Sequence, residues 1–171
     1  MKKLFMIVIL VIMCSLLFTA CEKQISYNHN CYYEPIQDWN ATRDDIRSAM
    51  FKFDNITLET DAPNHLLYLY YGISYTLNYY FEKNENGELG LAFAYTCTWF
   101  PGEESDDPAY IERCNIVKKY CMNNFIKIYE ENGSILYHDK NKKTLIVCHD
   151  GDMLIYYPYS VEKIEDIIGD F

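Results

Sequence analysis

The side chains whose type or spacing singles them out for metal or nucleophilic chemistry are the four histidines, the seven cysteines and one short run of acids. His149 is followed by Asp150 and Asp152, which could offer an imidazole and carboxylates to a divalent cation. Asp150-Gly151 is equally a two-residue turn, and His149 then faces Asp152 as a cross-strand pair. His138 falls at the other end of the same strand pair, out of reach of a shared ion. Glu103, Glu104, Asp106 and Asp107 bring carboxylates to one loop, as calcium requires, but without the alternating ligand spacing of a calcium loop. Asp107 is placed instead to cap a helix. The chain has no G-x-S-x-G, no phosphate-binding glycine loop and no H-E-x-x-H. These residues predict no metal site, no cofactor and no catalytic centre.

Among the cysteines, Cys14 and Cys21 belong to the N-terminal region, leaving Cys31, Cys97, Cys114, Cys121 and Cys148. An odd number leaves at least one thiol unpaired, and the spacing fixes no pairing among them. Cys114 and Cys121 stand seven residues apart on a predicted helix, about 10 Å along its axis, too far to bridge each other. They continue the stripe Tyr110, Cys114, Val117, Cys121, Phe125 and read as small core residues.

Cys21 stands apart. Lys2 and Lys3 precede an apolar run from Leu4 to Phe18, broken only by Ser15, and Thr19-Ala20-Cys21 follows. Charge, apolar segment and small residue in that order make a secretion signal over residues 1–20. Ala20-Cys21 resembles the lipobox of bacterial lipoproteins, with Phe18 where that family usually carries Leu. The resemblance implies a diacylglyceryl thioether on Cys21 and an N-acyl chain, hence a lipid anchor in the bacterial envelope, at the outer membrane. Each buried methylene is worth about 0.8 kcal/mol, so two or three chains hold durably. Removal of residues 1–20 leaves 13 basic and 25 acidic residues, a formal charge of −12. That charge argues against nucleic acid as a partner and against lying flat on anionic lipid.

The elements that must position any site read as follows. Residues 21–38 form the lipidated Cys and a tether. Residues 39–171 form one domain. Thr42 with Asp45 is a capping-box pair, followed by the apolar face Ile46, Ala49, Met50, Phe53. Strands are predicted at Asn55–Thr60, His65–Tyr71, Ser74–Lys83 and Glu88–Thr98, the last two around the turn Asn86-Gly87. Asp107 caps a helix that begins at Pro108 and runs to about Asn124. Four more strands follow, Phe125–Glu130, Ser134–His138, Thr144–His149 and Met153–Tyr157, with turns at Asn132-Gly133 and Asp150-Gly151. Ser160 caps a last helix over Val161–Ile168, ended by Gly169.

This order predicts an α+β fold: an antiparallel sheet with the helices on one face, built from a tandem helix-plus-four-strand unit with halves 39–100 and 101–159 and a short C-terminal helix at 160–169. With the lipobox, the tether and Trp39-Asn40-Ala41-Thr42 leading into Ile46, the plan resembles small bacterial lipoproteins with β-lactamase-inhibitor-protein-like domains and the small lipoproteins of outer-membrane assembly. That resemblance implies an envelope binding or scaffolding role, with an envelope protein as partner. The other reading is a surface protein that handles a glycan or other ligand, with or without enzymatic activity.

Tyrosine is the residue in excess, with 17 in the chain. On the second strand, Leu67 and Leu69 alternate with Tyr68 and Tyr70. Leucine is the more apolar set, so it is predicted inside, and Tyr68, Tyr70 and Tyr79 are predicted to form an outward binding face.

Overall fold

The computed structural model describes residues 34–70, 75–83, 87–98 and 105–171. The signal segment, Cys21, tether residues 22–33, Asn86, Glu103 and Glu104 lie outside that set.

Helix α1 spans Arg43–Met50, and both arms of the Thr42/Asp45 capping box are made. The Thr42 hydroxyl and, less strongly, its N–H donate to the Asp45 carboxylate at 2.6 and 2.9 Å, which holds that carboxyl below its ordinary range. Strands β1 (Ile56–Ala62), β2 (His65–Tyr70), β3 (Tyr75–Lys83) and β4 (Leu89–Cys97) follow. Asp107 caps α2 (Pro108–Asn124) by accepting from Ala109 N–H at 2.8 Å. Then come β5 (Ile126–Glu131), β6 (Ser134–Asp139), β7 (Thr144–His149), β8 (Met153–Pro158) and α3 (Val161–Gly169), the last capped by Ser160. At Asn132-Gly133 (φ 48° and 80°) and Asp150-Gly151 (46° and 83°), both turn residues are left-handed, as the tight hairpin turns with matching twist require.

All eight strands join one antiparallel sheet in the order β1-β2-β3-β4-β8-β7-β6-β5. Alternation along the strands separates two apolar clusters. Ile46 and Met50 of α1 and Val117 and Cys121 of α2 pack in one with Leu66, Tyr79, Ile146 and Tyr156. Ile167 of α3 packs in the other, with Leu136, Leu145 and Val147. Ile146 and Val147 are neighbours on β7 and point to opposite faces, so α3 lies across the sheet from α1 and α2. The expectation that the helices share one face fails at α3. A strand buried on both sides, as β7 is at Thr144–Cys148, reads as an unbroken apolar run and cannot show in sequence which face its covering helix takes.

Glu34–Asp38, read as tether, is fastened to the domain. Pro35 is buried, Ile36 N–H donates to Tyr79 Oη at 3.0 Å, and Glu34 is joined to Tyr120 and Lys142. Among the described residues no helix is long and apolar enough to cross a membrane.

Candidate binding surface

The predicted tyrosine face is inverted. Tyr68, Tyr70 and Tyr79 are 4%, 8% and 0% exposed and belong to the core beneath α1, while Leu67 and Leu69 are only half-buried. Tyrosine is the larger ring, and its hydroxyl can be placed where a donor or acceptor reaches it. Tyr79 Oη accepts from Ile36 N–H and donates to Met50 Sδ at 3.6 Å, and burial pushes its pKa far above the ordinary range. Tyr68 packs edge-on against Tyr79 at 6.1 Å between centroids.

The opposite sheet face carries a different aromatic set. Strand pairing aligns His65 with Tyr80 and Tyr80 with Phe93, and the β4–β8 register brings Tyr157 beside Phe93. The rings form a continuous row across β2, β3, β4 and β8. His65 stacks on Tyr80 at 4.3 Å and Tyr80 on Phe93 at 4.7 Å, with Phe93 tilted toward Tyr157 at 5.9 Å. All four are half-buried. His65 Nε2 is held by Asn78 Oδ1 at 3.0 Å, and Lys163 of α3 sits 4.7 Å over the Tyr157 ring. Tyr95 flanks Tyr80 at 5.9 Å, and burial pushes its hydroxyl up to about 12, with a hydrogen bond to Tyr80 adding to the shift. The row was missed in sequence because Tyr80 and Phe93 become neighbours only through the β3–β4 pairing. The signal that could have found it is the turn Asn86-Gly87, which sets Tyr80 opposite Phe93, together with period-2 alternation along both strands.

A cleft of about 310 Å³ opens between α1 and the edge strand β1, with Phe51 and Phe53 at its rim and Tyr68 at its base. Its one charged lining residue is Arg47, and it has no carboxylate. Arg47 and Arg43 both pair with Asp61 nearby, the former at 3.2 Å.

The predicted ligand candidates do not converge. His149 pairs with Met153 rather than Asp152, and its Nδ1 shares a 2.6 Å hydrogen bond with Ser134 Oγ. Asp152 instead accepts from Tyr110 Oη at 3.2 Å, tying α2 to the β7–β8 turn. His138 stacks on Tyr159 at the far end of the β6–β7 pair. Asp107 is committed to its cap, and Glu103 and Glu104 lie outside the described residues. Among the described residues no three His, Cys, Asp or Glu side chains are gathered to hold a metal. Comparison with protein-family models, with curated proteins and with solved structures gives no match for this chain.

Proposed function

We propose that this chain is a lipid-anchored lipoprotein of the bacterial envelope, at the outer membrane, and that it binds another envelope protein without catalysis. The row His65, Tyr80, Phe93, Tyr157 carries this reading, because it lies on the sheet face opposite α1 and α2, with α3 packed at its Tyr157 end. Aromatic rings concentrate at protein interfaces and give rigid contact area at low entropic cost. Stacking at 4.3 and 4.7 Å spends the ring faces on one another and turns their rims outward. Rims suit protein side chains; a sugar needs a free ring face. A ligand-handling site would instead gather several carboxylates in a concave pocket; the cleft beside α1 offers only Arg47, and the smaller one beside Tyr157 offers the single side-chain carboxylate of Asp170. In this reading Cys21 bears the lipid and the residues after it form the tether.

We also propose that the domain is a tandem of one helix-plus-four-strand unit, on the plan of β-lactamase-inhibitor-protein-like domains. Each half starts with a capped helix, and the first strand of each bulges near its middle, at Leu58/Thr60 and at Lys127/Tyr129. The two last strands, β4 and β8, meet antiparallel at the centre of the sheet.

Two experiments test the reading. Mass spectrometry of the mature N-terminus should find acylated Cys21, and Cys21→Ser should leave unprocessed precursor or soluble protein. An unmodified terminus elsewhere overturns the anchor. Crosslinking in intact envelopes followed by pull-down should recover a partner, and Tyr80→Ala/Phe93→Ala should cut that recovery about tenfold. A partner captured equally well by the double variant overturns the binding face.

A further inference from the structure

Helix α2 is pressed onto the β7–β8 hairpin at a fixed point. Gly151 adopts φ +83°, and a Cβ on it would run into the carbonyl oxygen of Cys114 and lie 2.9 Å from Lys118 Cγ. Lys118 pairs with Asp150 at 3.7 Å on the same turn. Cys121 lies seven residues beyond Cys114, about 10 Å along the helix. Cys148 lies three residues before Gly151, next to the last residue of β7, so it too stands close to the turn. Cys148 also points to the helix-covered face, in the cluster that contains Val117 and Cys121, and both sulfurs are buried. The Cys121 thiol accordingly donates a hydrogen bond to the Cys148 sulfur. Cys114 is engaged elsewhere, 3.9 Å from Thr98 Oγ1.

We propose that Cys121 and Cys148 are a cystine site, closing to a disulfide that staples α2 to β7 when the chain folds in the presence of a disulfide oxidant. In the first step, a Cys148 thiolate attacks one sulfur of the oxidant, for example glutathione disulfide, forming a mixed disulfide and releasing one oxidant thiolate. Cys121, deprotonated in its turn, attacks the Cys148 sulfur and releases the second thiolate. Two electrons pass from the cysteine pair to the oxidant, and the two protons lost by the pair are carried off by its thiols. The Cys121 S–H and, more weakly, the Gly151 N–H point at the Cys148 sulfur and lower its pKa, whereas Cys121, as donor and buried, is raised. The bond would enclose β5, β6 and most of β7. The inference rests on packing and does not depend on the anchor or on the binding face.

The test uses the full chain, reduced and unfolded, then refolded in detergent buffer containing glutathione and glutathione disulfide. Remaining thiols are alkylated and the protein is digested with trypsin without reduction. The expected product joins the peptide 120–127 to the peptide 144–163 and is lost on reduction. Cys148→Ser treated in the same way should leave Cys121 alkylated, with no new pair formed. Full alkylation of Cys121 and Cys148 in the folded natural chain, a different partner for either, or a substitute pair at Cys121 in the variant overturns the proposal.

Discussion

Trp39 and Thr144 lie 105 residues apart in the chain and are joined by a hydrogen bond of 3.1 Å from the indole Nε1 to the hydroxyl Oγ1. The bond ties the segment ahead of α1 to the start of β7, so it links the beginning of the domain to a strand near the middle of its second group of four. Thr144 is fully buried, and its own proton goes to the Lys142 carbonyl at 3.2 Å. Its oxygen is therefore free to accept from Trp39. Trp39→Phe should cost about 1 kcal/mol, the net worth of one such bond, seen as a lower melting temperature. Trp39→Phe in a Thr144→Val background should cost clearly less. Equal costs in the two backgrounds would mean that the hydrogen bond contributes nothing.

The buried tyrosines give a second expectation, opposite to the one alternation alone suggests. Tyr79→Ala should destabilise by about 3–5 kcal/mol, because it empties a fully buried site and frees Ile36 N–H. Tyr68→Ala/Tyr70→Ala should likewise lower melting sharply. An unchanged melting temperature for that pair would restore the outward face.

Two glycines with the same backbone angle should respond differently. Gly87 (φ +80°) has open space around the position of a Cβ, so Gly87→Ala should cost only the left-handed penalty, about 1 kcal/mol. Gly151→Ala adds a collision with the backbone of α2 and should cost several times as much. Denaturant midpoints of the two variants would decide, and equal losses would show that α2 yields freely.

Alkaline stability should follow two shielded phenols, Tyr137 in the core and the half-buried Tyr95. Burial pushes Tyr137 and Tyr95 each up to about 12. A folded pKa above the ordinary value of 10 means that the folded state holds its protons longer. The stability they contribute is whole below pH 10 and is lost as pH rises from 10 through 12. Phenolate absorbance should therefore rise in two phases, the later one coinciding with loss of structure. One phase at the ordinary tyrosine pKa, with the fold intact, would contradict this.

The sequence alone determined the elements and their ends. The Thr42/Asp45 box, Asp107-Pro108, Ser160 and the Asn-Gly and Asp-Gly turns act within a few residues, through local hydrogen bonds and backbone angles, so they were legible without the fold. The small-core reading of Cys114 and Cys121 was legible for the same reason, since helical spacing is local. Which face of each strand is covered was not legible. Leu67 and Tyr68 both suit a sheet, and a shift of one residue exchanges their roles. Only the docking of α1 above Tyr68 and Tyr79, and of α3 on the other side at Val147, settled that choice. The row from His65 to Tyr157 and the meeting of Cys121 with Cys148 depend on pairing between residues 13 to 64 positions apart in one case and 27 in the other. Such proximity exists only after strand pairing and helix packing have closed those loops, and no spacing in the chain encodes it by itself.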